Sequence, residues 1–358
     1  MQQWQRLQSR QLRLARPDLL DYSREGGHAG LRQAIADYLR VSRAVRVEPS
    51  QVIVTAGTQH SLDLCAQLLA DAGDRVWVED PCYWGARAIF ESCDLKVEPI
   101  AVDADGMDPA SAPAGARPRL VHLTPSNQYP TGVPMSLARR RAILEIALRE
   151  SAWVLEDDYD SELRYGGRPL SSLQGLDAGD RVIYLGTFSK VLYPGIKTGY
   201  LVVPPALVAP FRSALYDLQR PGHLAVQAAL AEFIARGYYA THIRRLRAAY
   251  AQVRERLVAA LAPCLGEKAW VASQSAGLHL VLALPPDADD RTLARAAREE
   301  GLLVNPLSEY FVAAPRTRGL VVGYGYAPAD AVEKAGARLA RLVRRRNPRT
   351  SREALEVS

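Results

Sequence analysis

Short apolar runs alternate with longer stretches of helical spacing through the middle of the chain, the pattern of an α/β sheet with crossover helices. Strands are expected at Gln51–Thr55, Arg75–Val78, Leu95–Ile100, Leu120–Leu123, Trp153–Glu156, Arg181–Gly186 and Gly199–Val203. Helices are expected between them at Gln59–Ala70, Trp84–Ser92 and Leu137–Arg149. Several strands are apolar almost without interruption, as when helices cover both faces of a sheet. From about Leu207 the texture changes. A long Arg- and Ala-rich helical region, Gln227–Leu261, leads to Gly277–Leu284, a helix near Thr292–Glu300 and a strand-like Gly319–Tyr324. This reads as a smaller α+β domain, with the Leu31–Leu39 helix expected to pack near it.

Composition narrows the class. With 358 residues and 48% hydrophobic content the chain can bury a large core, and roughly two domains follow from a prior of about 150 residues each. No apolar run approaches the ~20 residues needed to span a bilayer, and Met1–Arg6 opens no signal-peptide apolar stretch. Cys65, Cys82, Cys93 and Cys264 have neither metal-ligand nor disulfide-framework spacing, which fits a reducing cytoplasm. The net charge is +6, but the basic excess gathers late, in Arg338–Arg346 and the tail after it, and reads as a solvated helix end rather than a nucleic-acid patch. Before Tyr22 there is too little chain for a helix-turn-helix module, so no direct DNA binding is expected.

Lysine usage singles out one residue. Of the 45 Lys+Arg residues only five are lysines, leaving 40 arginines. An arginine keeps its proton at physiological pH, whereas a lysine amine can be made nucleophilic. Lys190 closes the stretch Tyr184–Lys190 (YLGTFSK) after an apolar strand, where a Schiff base to a carbonyl cofactor would use it. Asp157, in the acidic run Glu156–Asp160, also falls at a strand end, where ligands of α/β sheets bind. Lysine and carboxylate together suit pyridoxal phosphate, which needs an amine for its aldehyde and an acid for its pyridine nitrogen. The alternative for the acidic run is a solvated loop or helix cap. Ala56–Gln59 has the form of a phosphate cradle at a helix N-terminus, or of a plain strand-to-helix turn. Thr187 and Ser189 add hydroxyls beside Lys190, and Lys197 adds a charge. Tyr83 offers either a face for the ring or core packing.

These motifs carry a resemblance. Tyr22–Arg32 (YSREGGHAGLR), Val54–Leu62 (VTAGTQHSL), Gly73–Tyr83 (GDRVWVEDPCY), Thr124–Gly132 (TPSNQYPTG), Glu156–Tyr165 (EDDYDSELRY), Gly186–Tyr200 (GTFSKVLYPGIKTGY), Gly277–Leu280 (GLHL) and Pro306–Tyr310 (PLSEY) follow one another along the chain. From Tyr22 onward it resembles fold-type I pyridoxal-phosphate enzymes of the aminotransferase class I/II group, and more narrowly the aminotransferase-like domain of MocR-type (GntR family) regulators. The resemblance implies an aspartate aminotransferase-like fold: a large domain (48–235) with a mostly parallel seven-stranded sheet, and a small α+β domain built from residues 1–47 and 236–358. It implies Lys190 as the Schiff-base lysine, Asp157 on the pyridine nitrogen, Tyr159 on the phenolic oxygen and Tyr83 stacked on the ring. Gly57, Thr58, Gln59, Thr187 and Ser189 would hold the phosphate, with Asn127 near the oxygen side of the ring. A cytoplasmic homodimer with active sites at the subunit interface is implied as well.

The chain departs from that pattern on the substrate side. Lys197 stands where the group carries a phosphate-binding arginine, and an ammonium lacks the bidentate fork. The positions expected to hold carboxylate-binding arginines read Gly85 and Glu309, with Arg87, Arg316 and Arg318 nearby in sequence. Glu309 would repel a carboxylate, which suggests an amine or a basic amino acid as donor, unless it faces solvent. The expectation is a stand-alone pyridoxal-phosphate aminotransferase using an amine or amino acid and a keto acid. The rival is an effector-sensing domain of a MocR-type regulator separated from its DNA-binding part, and other reactions of the same cofactor stay open.

Overall fold

The computed structural model describes residues 2–14, 16–166, 170–264, 276–325, 327 and 331–346. The basic tail beyond Arg346 lies outside the described residues. In chain order the elements are α1 (Gln2–Leu14), α2 (Ala29–Arg43), β1 (Val52–Thr55), α3 (Thr58–Leu69), β2 (Arg75–Asp80), α4 (Trp84–Ser92) and β3 (Lys96–Asp103). There follow β4 (Gly106–Met107), β5 (Leu120–Leu123), α5 (Leu137–Arg149), β6 (Trp153–Asp158), β7 (Val182–Thr187) and β8 (Gly199–Val202). The C-terminal part holds α6 (Val208–Gln219), α7 (Leu224–Ala235), α8 (Tyr238–Leu261), β9 (His279–Leu284), α9 (Asp290–Glu299), β10 (Asn305–Pro306), β11 (Arg318–Gly323) and α10 (Val332–Arg346).

The main sheet has the order β1-β8-β7-β6-β5-β2-β3-β4. Strands β7, β6, β5, β2 and β3 run parallel, while β8 pairs antiparallel with both β7 and β1. The seven expected strands are all there, mostly parallel. The eighth, β4, is a two-residue addition that turns back on β3 through Gly106 at φ +97°. Successive residues face opposite layers: Val154 and Val182 meet Ile143 and Ala147 of α5, whereas Leu155 and Ile183 meet Leu62 and Cys65 of α3. Burial on both faces explains the unbroken apolar runs.

A second antiparallel sheet, β10-β11-β9, is backed by α9, α10 and the end of α8. Helix α8 links the two parts: Tyr239 and Ile243 at its start pack into the cluster around β1 and β8, and Val253, Leu257 and Leu261 at its end pack under the small sheet. The expected single helical region is two helices, because Gly237 at φ +73° takes a left-handed turn between α7 and α8. Helix α2, expected near the smaller domain, packs with α7, the start of α8 and β1, burying Leu31, Ile35 and Leu39 in their cluster. Helix α1 joins it through Trp4, whose ring meets Phe233 edge to face at 5.8 Å.

Candidate active site

Three chain segments reach the C-terminal edge of the parallel strands, where ligands of α/β sheets bind. β6 ends in Glu156, Asp157 and Asp158; Lys190 follows β7; and the β1–α3 turn carries Gly57 at φ +103°. They close around a cavity of about 200 Å³ lined by Gly57, Thr58, Gln59, Tyr83, Asp157, Tyr159, Thr187, Ser189 and Lys190, together with Ala56, Thr124 and Tyr129. Residues far apart in sequence thus meet because neighbouring parallel strands end at one level.

The acids of the motif run have different partners. Glu156 accepts the backbone N–H groups of Leu173 (2.7 Å) and Gln174 (2.8 Å), and burial pushes its carboxyl up to about 7. Asp158 is held by the buried Arg43 guanidinium at 2.8 Å and by the Tyr184 hydroxyl. Asp160 accepts from the Asn127 amide at 2.8 Å, and burial raises its pKa well above the usual carboxylate value. Glu162 accepts from the Tyr239 hydroxyl at 3.3 Å, and burial holds it at about 7. Asp157 is different. It is 4% exposed, and its Oδ1, like that of Asp158, has no hydrogen-bond partner; but where Asp158 Oδ2 takes two donors, Asp157 Oδ2 faces Nε2 of the buried His122 at 3.7 Å. A buried carboxylate oxygen left unpaired costs on the order of 1–3 kcal/mol, a cost that a ligand donor would remove.

The opposite wall is aromatic. Tyr83 meets Tyr129 edge to face at 5.9 Å, and Tyr129 also contacts Tyr159 (5.8 Å), His279 (5.0 Å) and Tyr310 (5.6 Å). The Tyr159 hydroxyl donates to the Asn127 backbone oxygen at 3.0 Å and accepts from the Asn127 amide at 3.1 Å. Burial and the nearby Asp160 push the Tyr159 phenol well up, so it stays protonated. Gly85 is what lets Tyr83 lie where it does: a Cβ at position 85 would fall 2.5 Å from the Tyr83 ring. Thr124 donates its hydroxyl to Glu79 at 2.6 Å, and burial holds the Glu79 carboxyl at about 7.

Four sequence candidates line no part of this cavity. Asn127 lines the adjacent cavity with Arg43, Glu162, Arg164 and Arg247, and reaches the site only through Tyr159. Lys197, with φ +44°, lines another with His60, Tyr193 and His223. Gly199 comes so close to Gly57 that a Cβ there would meet its Cα at 2.9 Å. Gly85 acts through Tyr83. Glu309 is exposed and lines a separate cavity with Trp84, Arg87, Arg291 and Tyr310, its carboxylate 3.9 Å from Arg291. Sequence reasoning passed over Tyr129, Thr124, His122 and His279. Tyr129, Thr124 and His279 lay inside quoted motifs, while His122 was one apolar-strand residue among others.

A doubly covered, mostly parallel sheet with a lysine and an unpaired carboxylate at its strand ends is the architecture of fold-type I pyridoxal-phosphate proteins. Residues 2–321 match the family described as aminotransferase class I and II, and the chain belongs to it. Its cofactor is pyridoxal phosphate. Among curated relatives, the chain is 42% identical over 90% of its length to the "Probable rhizopine catabolism regulatory protein MocR" of Rhizobium meliloti, and it spans 65% of that protein. Among solved structures it is similar to a kynurenine aminotransferase from Pyrococcus horikoshii (26% identity, TM-score 0.87, 96% of this chain and 87% of that one). It is equally similar to LysN, an alpha-aminoadipate aminotransferase from Thermus thermophilus (27% identity, TM-score 0.85, 96% and 88%). Among the described residues no helix is long and apolar enough to cross a membrane.

Proposed function

We propose that the chain is a pyridoxal-phosphate-dependent aminotransferase acting on an amine or amino acid through Lys190. The observation that carries this reading is the pairing of Lys190 with the unpaired, buried Oδ1 of Asp157 in one cavity. The donor set suits the cofactor. Asp157 Oδ1 would accept from the protonated ring nitrogen, the N-terminus of α3 with Thr187 and Ser189 would take the phosphate, and Tyr83 would offer its face to the ring. Tyr159, kept protonated, would turn its one O–H from the Asn127 backbone oxygen to the phenolic oxygen while still accepting from the Asn127 amide. Gly57 leaves room for an anion, since no atom lies within 4 Å of where its Cβ would be. When bound, pyridoxal phosphate supplies the electron sink for the pair left at the carbon that loses its proton. Lys190 would hold the cofactor through its amine, and that amine, once freed, would serve as the general acid and base. Asn127 fixes the Tyr159 hydroxyl from behind, and Lys197 adds positive charge beyond the Ala56 wall. The working unit in this reading is a homodimer.

Borohydride reduction of the loaded protein followed by peptide mapping tests the assignment: the cofactor should be trapped on Lys190, and Lys190→Ala should trap none. A trapped adduct at wild-type level in that variant sinks the reading.

One observation favours a second reading, that of an amine-sensing domain of a transcriptional regulator: the 42% identity to MocR, of which the chain spans 65%. Both readings need Lys190 to exchange its cofactor for an amine, and they differ in turnover. Sustained turnover of amine with a carbonyl acceptor, keto acid or aldehyde, decides for the enzyme. A spectral change that stops after one equivalent of amine decides for the sensor.

A further inference from the structure

The three arginines that stood near the site in sequence are engaged elsewhere. Arg87 lines the Glu309 cavity and lies 3.8 Å from Glu91, one helical turn on. Arg318 turns to the buried Asp290 at 3.7 Å. Arg316 stands near Asp80, whose carboxyl burial raises and the Arg316 charge partly draws back. Among the described residues, Lys190 is the one cationic side chain on its cavity wall. His279, behind Tyr129, donates Nε2–H to the Pro130 carbonyl at 2.9 Å, and burial pushes it down to about 4, so it is neutral near pH 7.

What the small sheet presents instead is apolar. Tyr129 is backed by a cluster of Val281, Leu307, Phe311 and Val321. Carboxyl groups also stand close by: Asp157 in the cavity, and Asp160 beneath Gly277, where an added Cβ would meet its Oδ2 at 3.0 Å. A carboxylate entering such a site loses its water and, among the described residues on the cavity wall, finds no guanidinium fork to replace it. An ammonium, by contrast, is received well by phenol faces.

We propose that the ligand exchanged at Lys190 is a primary amine on an uncharged body, carrying no carboxylate, with Tyr83 and Tyr129 as its recognition wall. This rests on the reading of Lys190 as the cofactor lysine. The test adds three matched amines to the cofactor-loaded full chain and follows the visible absorbance band: benzylamine, phenylglycine (benzylamine with an α-carboxylate), and phenylglycinamide, which has the same branching without the charge. Benzylamine and phenylglycinamide should each half-saturate the spectral change at a concentration at least tenfold below phenylglycine. Equal or tighter response to phenylglycine overturns the proposal, and so does a loaded protein that responds to none of the three. Borohydride trapping on the same sample separates the two readings. Cofactor absent from Lys190 brings down the functional assignment itself, whereas cofactor on Lys190 with a preference for phenylglycine brings down only the ligand class.

Discussion

Tyr129 lines the Lys190 cavity, Tyr310 lines the Glu309 cavity, and their rings touch edge to face at 5.6 Å. The two neighbours differ in kind. The Glu309 cavity is the larger, about 540 Å³, yet Glu309 and Arg291 are 57% and 61% exposed and already face each other. Such an exposed pair contributes roughly 0–1 kcal/mol and leaves little for a ligand to gain. In the smaller cavity Asp157 is out of water with one oxygen unpaired. A protein that tolerates an unpaired buried acid leaves a strong binding energy for whatever supplies the donor. Size does not single out the proposed site; a buried, unpaired acid oxygen on a cavity wall does.

The largest break in the comparison is expected from Lys190→Ala, which should abolish covalent cofactor attachment. Amine turnover should fall by roughly 10²–10⁴-fold, the span of a lost general acid–base group. Asp157→Asn comes next. Turnover should drop by roughly 10²-fold through lost electrostatic stabilisation. The cofactor-free chain should meanwhile be no less stable in a urea titration, since an unpaired charge has been removed. Gly85→Ala follows. Its Cβ displaces the end of the Tyr83 side chain, not backbone, so stability should change by less than about 0.5 kcal/mol while cofactor dissociation measured by fluorescence increases several-fold.

A pH effect follows from Glu162. Burial holds this carboxyl at about 7 when folded, against an ordinary value of 4.5. The folded chain therefore keeps a proton that the unfolded chain releases, and stability falls as pH rises from about 4.5 to 7. Glu162→Gln removes that loss. Between pH 5 and pH 8 the wild type should lose about 1 kcal/mol or more relative to the variant in denaturant unfolding. An identical pH slope for both would count against a buried, protonated Glu162. The smallest effect belongs to the other cavity. Glu309→Gln should leave both stability and donor preference unchanged within error, and a changed donor preference would make the Glu309 cavity part of the substrate site.

Much of the fold was legible because its signals are local. Buried parallel strands read as apolar runs, and the motifs at β1–α3, β6 and β7 fall at strand ends, where ligand chemistry collects. Helix α1 was not legible: its residues are mostly Gln and Arg, and Trp4 and Leu7 become core only because α7 lies across them. The break at Gly237 was overlooked inside a strongly helical stretch, where one glycine carries little weight against its neighbours. The candidates Asn127, Lys197 and Glu309 lie within the motifs in sequence, but the fold carries them to neighbouring cavities.

By itself the sequence carried the resemblance to the family and its cofactor, and it offered Lys190 and Asp157 as candidates because both fall at the ends of parallel strands. Tertiary structure alone decided which acid is left without a partner. Glu156, Asp158, Asp160 and Glu162 are each claimed by groups from distant parts of the chain: Leu173, Arg43, Asn127 and Tyr239. It also decided that, among the described residues, the wall facing Lys190 is tyrosine backed by apolar residues and not arginine. Whether a charge is met or unmet depends on which distant groups packing brings beside it.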